Sequence, residues 1–205
     1  MISVFINSLT SGGAEKVVLT LLERFKLSEE SLELILIEKK RFYDLPENIP
    51  TTFLTKYDSL ERGFLKMPYL FICAYRLKKS IHTPGQIVQS HLLRASFINV
   101  LAKMMGAKHH AQIVVHSRIN FEHKPILIRK IKKWIYTKIF NRADSIVSIC
   151  KVMKNDLDEY LDLKKHPLHR AIYNPHNLKE IERKAKMEAN NFSFSKDKKY
   201  IISVG

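Results

Sequence analysis

Residues that could bind or transform a substrate follow four of the short apolar runs in this chain. They are Gly12 with Gly13, Ser90 with His91, His116 with Ser117 and Arg118, and Asn174. Histidine can donate a hydrogen bond to a diphosphate or a sugar hydroxyl, or exchange a proton near neutral pH. In doubly wound sheets, ligands bind beyond the carboxyl ends of the strands. Each histidine taken singly also fits a structural role, but two at equivalent strand ends indicate a shared site.

The pair Gly12-Gly13 lies between an apolar run and an amphipathic segment that starts at Ala14. Glycine has no Cβ, so the backbone of this turn can lie directly against a ligand. The following helix N-terminus offers unpaired N–H groups and a partial positive charge, which suit a phosphate or a sugar hydroxyl. A tight turn without any ligand fits the pair equally well. The G-x-G-x-x-G spacing of dinucleotide sites is missing, which disfavours a nicotinamide enzyme.

Apolar runs and helical segments alternate along the chain, as the elements of βαβ units do. The predicted strands cover residues 2–6, 32–37, 52–54, 87–89, 112–115, 145–148, 170–173 and 200–204. The predicted helices cover residues 14–25, 69–81, 92–105, 126–141, 151–160 and 178–189. Several strands are continuous apolar runs, which favours a mostly parallel sheet covered on both faces. The sequence therefore predicts an α/β fold with a Rossmann-like, doubly wound, mostly parallel sheet.

The last part of the chain differs from the rest in composition. Residues 1–189 are predicted to form one domain, and the polar stretch 190–199 is expected to be a linker. The apolar run within 200–205 then resembles the first strand of a second domain that this chain does not contain. The two cysteines, Cys73 and Cys150, lie far apart in apolar runs and are predicted to be buried free thiols. Because no group of His, Cys or Asp has metal-ligand spacing, we expect no metal site and no cofactor.

The chain carries a formal net charge of +15, from 35 basic and 20 acidic residues. Such a charge implies an anionic partner: a nucleic acid, an anionic membrane surface or a phosphorylated substrate. A nucleic-acid-binding module stays open as an alternative, although the sequence contains no helix-turn-helix, zinc-finger or RNA-recognition signature. No apolar run reaches the roughly 18 residues of a membrane span, and the chain starts directly with a core strand. We therefore expect a cytoplasmic protein.

The segment from Lys124 to Arg142 has seven basic residues and no acidic one. On a helical wheel its apolar residues share one arc: Leu127, Ile128, Ile131, Trp134, Ile135 and Ile139. We expect this arc to cover the sheet while the opposite side meets anionic lipid on the inner face of the plasma membrane. The predicted membrane contacts are Arg129, Lys130, Lys132, Lys133 and Trp134. The alternative is that the basic side is merely solvated.

Four segments together resemble the N-terminal domain of glycosyltransferase family 4, a group of retaining enzymes with the GT-B fold. The segments are Ser11-Gly-Gly-Ala-Glu-Lys16 with Val17-Val18, Ser90-His91, Ala143-Asp-Ser-Ile-Val-Ser-Ile-Cys150, and Ile172-Tyr-Asn-Pro175. Their order and spacing extend over nearly the whole chain. Two positions depart from the family pattern: His176-Asn177 replaces a pair that ends in aspartate, and Cys150 replaces a common serine. The resemblance implies the N-terminal, acceptor-binding half of a GT-B fold.

The resemblance also implies roles for the strand-end residues. Gly12 and Gly13 match a turn beside the bound donor and acceptor, and His116 is similar to the family histidine near the reacting sugar and the leaving diphosphate. His91 matches a position that often faces the acceptor cleft, and Asn174 matches the segment leading to the interdomain hinge. With Arg118 beside His116, these residues form the predicted substrate site, in which His116 is the catalytic candidate.

The reaction that the resemblance implies transfers a hexosyl unit from a nucleoside diphosphate sugar to a glycan or lipid-diphosphate acceptor, with retention of the anomeric configuration. A lipid-linked acceptor would explain both the charge and the histidine-lined cleft, so we expect a place in polysaccharide or lipopolysaccharide biosynthesis. Since the family holds its donor mainly in the second domain, this chain alone should fold without turning over substrate. A non-catalytic sugar-binding domain of the same fold is a further alternative.

Overall fold

A parallel sheet of seven strands forms the centre of this computed structural model, which describes residues 1–26, 31–56, 66–119, 125–163, 166, 168–187, 197 and 199–201. The strands are β1 (Ile2–Ile6), β2 (Leu32–Leu36), β3 (Thr51–Phe53), β4 (Gln86–His91), β5 (His109–Val115), β6 (Ser145–Ser148) and β7 (His169–Ala171). Their order in the sheet is β3-β2-β1-β4-β5-β6-β7, and every neighbouring pair is parallel. The chain direction across the sheet reverses between β1 and β4, which creates a topological switch point.

The helices are α1 (Gly13–Phe25), α2 (Lys66–Ser80), α3 (Leu93–Met104), α4 (Ile126–Phe140), α5 (Lys151–Leu161) and α6 (Leu178–Ala185). The chain divides into two compact units, residues 1–175 and 176–205, and α6 is in the second. Helix α2 begins three residues earlier than predicted because Pro68 falls in its first turn, where a missing N–H costs nothing. The predicted linker at 190–199 and the strand at 200–204 lie largely outside the described residues.

Alternate residues of the strands pack on opposite faces of the sheet. Val4 and Ile6 point towards α1 together with Val18 and Leu22, while Phe5 packs with Val88 and residues of α2 and α3. A third buried cluster joins β5 and β6 to α3, α4 and α5. Helices therefore cover both faces, and the predicted α/β Rossmann-like, doubly wound parallel sheet is confirmed.

Strand β4 starts earlier than predicted because a polar cluster holds its first residue inside the sheet. Gln86 Nε2 donates to Glu33 Oε1 at 2.8 Å and to Ser3 Oγ at 2.5 Å, and Ser3 Oγ donates to Glu33 Oε1. All three residues are buried. Such mutually satisfied groups can replace apolar residues in a core, which a search for apolar runs does not detect.

The two cysteines have different environments. Cys73 is a buried free thiol, as predicted. Cys150 is also free, but the prediction that it is buried was wrong, because it is only half-buried at the N-terminus of α5. Its Sγ accepts a hydrogen bond from the Met153 backbone N–H at 3.4 Å and so caps the helix.

Candidate functional site

The predicted site residues lie at one edge of the sheet, because all strands that precede them are parallel. His91 is the last residue of β4, and His116 follows the last residue of β5. Gly12 is the N-cap of α1 and Gly13 its first residue, while Asn174 lies three residues beyond β7 and is half-buried. This shared edge is where ligands bind in open α/β sheets.

His91 and His116 form the closest contact between predicted site residues. The His91 Nδ1 and His116 Nε2 atoms are 2.8 Å apart, and the ring centroids are separated by 5.1 Å. His91 is fully buried, whereas His116 is half-buried. A substrate can therefore touch His116, and His91 can act on a substrate only through His116.

Burial keeps both rings uncharged near neutral pH. Desolvation, with a smaller contribution from the neighbouring His116, lowers the pKa of His91 to about 3. Desolvation alone lowers the pKa of His116 to about 4. Neither ring supplies a positive charge to an anionic substrate at pH 7, so the pair acts as a neutral hydrogen-bonding device.

A row of side chains on β4, β5 and β6 extends the histidine pair into the sheet. His91 Nε2 donates to Gln89 Oε1 at 3.1 Å, and Gln89 Nε2 donates to Gln112 Oε1 at 2.6 Å. Gln112 Nε2 in turn donates to Ser145 Oγ at 3.0 Å. The register of the strands aligns these residues, because Gln89 pairs with Gln112 and Gln112 with Ser145.

A cavity of about 220 Å³ lies next to the histidine pair, at the switch point between β1 and β4. Among the described residues, its lining combines the ends of β1, β4 and β5 with the first turn of α3: Asn7, Leu92, Leu93, Arg94, Ser96, Ile113, Val114, Val115, His116 and Ser117. Of the strand-end residues singled out in the sequence, His116 and Ser117 line this cavity. The cavity is thus the candidate substrate pocket, and His116 is the histidine that lines it.

Asn7 and Leu92 are among the residues of this pocket that the sequence did not indicate. Asn7 follows β1 directly, and its Oδ1 accepts a hydrogen bond from the Ala95 backbone N–H at 3.1 Å. Its position immediately after the first apolar run was a signal that could have found it. Leu92 has φ 70° and ψ 151°, a conformation that bulky residues rarely adopt. Such strain concentrates at functional sites, and no sequence pattern indicates it.

An ion pair fixes the first turn of α3 against the end of β2. Arg94 donates to Glu38 Oε1 at 2.6 Å, and Glu38 is buried. The Glu38 backbone N–H also donates to the Asn7 carbonyl oxygen at 2.9 Å. The ends of β1, β2 and β4 are thereby held together around the pocket.

The turn at Gly12 is filled by the protein itself. Glu15 is buried in the first turn of α1 and accepts a hydrogen bond from Thr10 Oγ1 at 2.8 Å. Its carboxylate lies against Gly12, whereas the space around Gly13 is open. Only Gly13 therefore has open space of the kind that the sequence predicts for a ligand.

Arg118 lines a second cavity of about 450 Å³ at the end of β5, between α4 and α5. Its Nε donates to Asp156 Oδ2 at 2.6 Å, and both side chains are exposed. The wall also includes Lys133, Glu159 and Tyr160. The positive charge of Arg118 is paired within this cavity, which reduces its attraction for an anion.

In the first half of helix α4 the apolar residues face solvent, whereas the prediction placed them against the sheet. Ile126, Leu127, Ile128, Ile131 and Trp134 are exposed, with exposed fractions from 44% to 70%. Arg129 and Lys132 are half-buried, and apolar packing begins only with Ile135, Tyr136, Ile139 and Phe140. The expectation that the whole arc covers the sheet was wrong, because only the C-terminal half of α4 reaches the core. Exposed lysines and exposed apolar residues therefore share one surface.

A cavity of about 300 Å³ lies beside this surface. Among the described residues it is lined by Arg129, Lys130, Lys133 and Tyr160. The Lys133 Nζ atom lies 5.2 Å from the centre of the Tyr160 ring, which is within the range of a cation–π contact. Three cations around one cavity make it electropositive.

In the described part of the chain, no helix is long and apolar enough to cross a membrane.

A hydrogen-bonded Ser-His-Asp arrangement links β6, β7 and α5. Ser148 Oγ lies 2.9 Å from His169 Nε2, and His169 Nδ1 lies 2.6 Å from Asp158 Oδ1. This is the connectivity of a hydrolase triad, but Ser148 is fully buried. No substrate reaches the hydroxyl, so we assign the arrangement to the structural core.

Among the described residues, no group of three His, Cys, Asp or Glu residues could hold a metal ion.

Comparison with known proteins finds one related enzyme along the whole chain. Over 214 residues the chain is 29% identical to N-acetylgalactosamine-N,N'-diacetylbacillosaminyl-diphospho-undecaprenol 4-alpha-N-acetylgalactosaminyltransferase of Campylobacter jejuni, with 100% of this chain covered. The chain spans 54% of the length of that relative. No protein-family model matches the chain. The protein is thus similar to part of a glycosyltransferase.

Two solved structures share the fold. Anabaena HepE, crystallised with UDP and glucose, has a TM-score of 0.59 and 15% identity, covering 90% of this chain and 50% of HepE. The α,α-trehalose 6-phosphate synthase of Burkholderia multivorans has a TM-score of 0.53 and 12% identity, covering 80% and 42% of the respective chains. The fold match to about half of each chain agrees with the predicted half of a GT-B fold.

Proposed function

We propose that this chain is the acceptor-binding half of a retaining glycosyltransferase that moves a hexosyl unit from a nucleoside diphosphate sugar to a glycan or lipid-diphosphate acceptor. The observation that carries the proposal is the pocket at the switch point, where half-buried His116 forms one wall. Similarity to a glycosyltransferase along the whole chain supports it.

In this proposal His116 is the residue that contacts the reacting groups. Its pKa of about 4 makes it a poor proton acceptor at neutral pH, so it holds and orients a sugar hydroxyl by hydrogen bonding. The transition state also requires stabilisation of the departing diphosphate and of the positive charge on the sugar ring. The open turn at Gly13 offers helix N–H groups for part of that demand, and Asn174, beyond β7 at the same edge of the sheet, is a further substrate contact in this proposal.

The acceptor we propose is lipid-linked, in polysaccharide or lipopolysaccharide biosynthesis. The name of the Campylobacter relative describes a diphospho-undecaprenol-linked acceptor. Here the electropositive cavity beside α4 has the charge to bind such a diphosphate, and the exposed apolar residues next to it have the chemistry to contact lipid. We therefore propose peripheral binding to the cytoplasmic face of the membrane through Arg129, Lys130, Lys132, Lys133 and Trp134.

A chimera tests the proposal. The 205-residue chain is joined to the part of the Campylobacter relative that it does not match and is incubated with UDP-N-acetylgalactosamine and a short-chain prenyl diphosphate-linked sugar. The expected result is a longer glycan with an α-linked product. We expect this chain alone to bind the acceptor without transfer, and we expect EDTA to leave the rate unchanged. Acceptor binding without transfer in the folded chimera would favour a non-catalytic sugar-binding domain.

His116→Ala and His82→Ala form the matched pair for the site. His116 lines the pocket, whereas His82 is exposed outside that lining. Loss of transfer by about 100-fold in His116→Ala, with His82→Ala unaffected, is the expected result. Equal activity of both variants would overturn the assignment of the pocket as the active site.

A further inference from the structure

The direction of the hydrogen bond between His91 and His116 is set by side chains of the sheet behind them. Gln89 is oriented by Gln112, because its amide nitrogen donates to Gln112 Oε1 at 2.6 Å. The other atom of the same amide, Gln89 Oε1, can only accept. It lies 3.1 Å from His91 Nε2, so the proton of His91 is on Nε2.

The protonation of His91 then determines that of His116. A neutral imidazole carries one N–H, and with the proton on Nε2 the Nδ1 atom of His91 has a lone pair. His116 Nε2 lies 2.8 Å from this lone pair and must donate to it. The Nδ1 atom of His116 is therefore left without a proton.

We propose that Gln89 and His91 are positioning residues that fix the His116 tautomer, so that His116 presents an unprotonated Nδ1 as hydrogen-bond acceptor for a substrate hydroxyl. The inference rests on the proposed function for the identity of the substrate. The tautomer itself follows from the contacts of four described residues. A hydroxyl donor, such as that of an acceptor sugar, is the chemical group that this wall of the pocket recognises.

Burial stabilises this arrangement of hydrogen bonds. His91 is fully buried, so water does not compete for its ring nitrogens. A second proton on His91 would go to Nδ1 and would place two N–H groups against each other across the 2.8 Å contact. The low pKa of His91 agrees with this exclusion.

The tautomers can be measured directly. In the 205-residue chain with ¹⁵N-labelled histidine, long-range ¹H–¹⁵N correlation spectra at pH 7.5 distinguish an Nε2–H ring from an Nδ1–H ring. We expect Nε2–H on both His91 and His116, with assignment from single His→Asn variants. Gln89→Leu should give mixed tautomers in both rings. An Nδ1–H signal from His91 or His116 in the unsubstituted chain would overturn the proposal.

Two substitutions of His91 give the kinetic test in the chimera. Asn places an amide oxygen near the position of Nδ1 and keeps an acceptor for His116, whereas Leu fills the space and removes the acceptor. We expect His91→Leu to lower kcat by about 100-fold with little change in KM, and His91→Asn to recover most of the loss. If the folded variants have equal kcat, the proposed positioning role of His91 is wrong. An inactive unsubstituted chimera would refute the proposed function alone, since the NMR result does not depend on turnover.

Discussion

The Glu15 carboxylate occupies the position where a side chain on Gly12 would begin. A Cβ built on Gly12 would come far inside contact distance of Glu15 Oε2, while one on Gly13 would meet no atom within 4 Å. Gly12 has φ −89° and ψ 161°, which any residue can adopt. The need for glycine at position 12 is therefore steric and comes from Glu15, not from the backbone conformation.

Gly12→Ala should destabilise the protein by about 1–3 kcal/mol, because the methyl group displaces the buried Glu15 side chain. Gly13→Ala is the matched control and should be neutral or stabilising by up to about 1 kcal/mol, since alanine favours the helix. Urea denaturation of both variants measures the difference. If the two variants are equally stable, Glu15 does not determine the requirement for glycine.

Cys150→Ser should raise the free energy of unfolding by about 0.5–1 kcal/mol. The thiol caps α5 with a weak acceptor, at 3.4 Å from the Met153 nitrogen, and a hydroxyl is a stronger one. Cys73→Ser is the control and should destabilise the protein by about 1–3 kcal/mol, because it places a hydroxyl in the fully buried α2–α3 core. Thermal unfolding of both variants, under reducing conditions, checks the opposite signs.

The order and type of the elements could be predicted because apolar runs and amphipathic segments differ in period. The common edge of His91 and His116 followed from the parallel sheet alone. Their direct contact could not, since it depends on the strand register, in which His91 pairs with Val114 and not with His116 itself. The strain at Leu92 and the buried state of His91 are likewise tertiary results that local sequence does not carry.

The orientation of α4 shows a second limit of sequence patterns. Helical periodicity identified one apolar arc but could not show how far along the helix the core extends. Ile139 and Phe140 are buried, whereas Leu127 and Trp134 of the same helix are 70% and 63% exposed. The apolar residues in the first half of α4 therefore lie exposed, without a covering partner among the described residues of its unit.

Stability should fall as the pH is lowered from about 6.5 to 4, because buried histidines are neutral in the folded state and protonated in the unfolded state. The pKa values of His91 and His109 are lowered to about 3 and about 4, chiefly by burial. The unfolded state then binds more protons than the folded state. In this window each ring therefore lowers the free energy of unfolding by about 1.4 kcal/mol for each pH unit of acidification. Urea midpoints at pH 7 and 5.5 measure the slope.

His109→Gln should make this pH dependence shallower, because the substitution removes one such ring. His82→Gln is the control, since His82 is exposed in the folded protein. Asp144 and Asp158 do not interfere: burial alone would raise the pKa values of these two carboxyl groups, but hydrogen bonds and neighbouring charges lower them, so they affect stability only below about pH 4. Identical slopes in all three proteins would exclude the buried histidines as the cause.

Membrane binding by the exposed surface of α4 should depend on both its charge and its apolar residues. Reversing Lys130 and Lys133 to glutamate should weaken binding to anionic vesicles by at least about 30-fold, since each lysine contributes about 1 kcal/mol near such a surface. Trp134→Glu should also reduce binding, because the indole would insert at the headgroup level. Val152→Glu on α5 is the matched control, since Val152 and Trp134 are each 63% exposed. Flotation assays compare the four proteins, and equal recovery would show that α4 does not contact lipid.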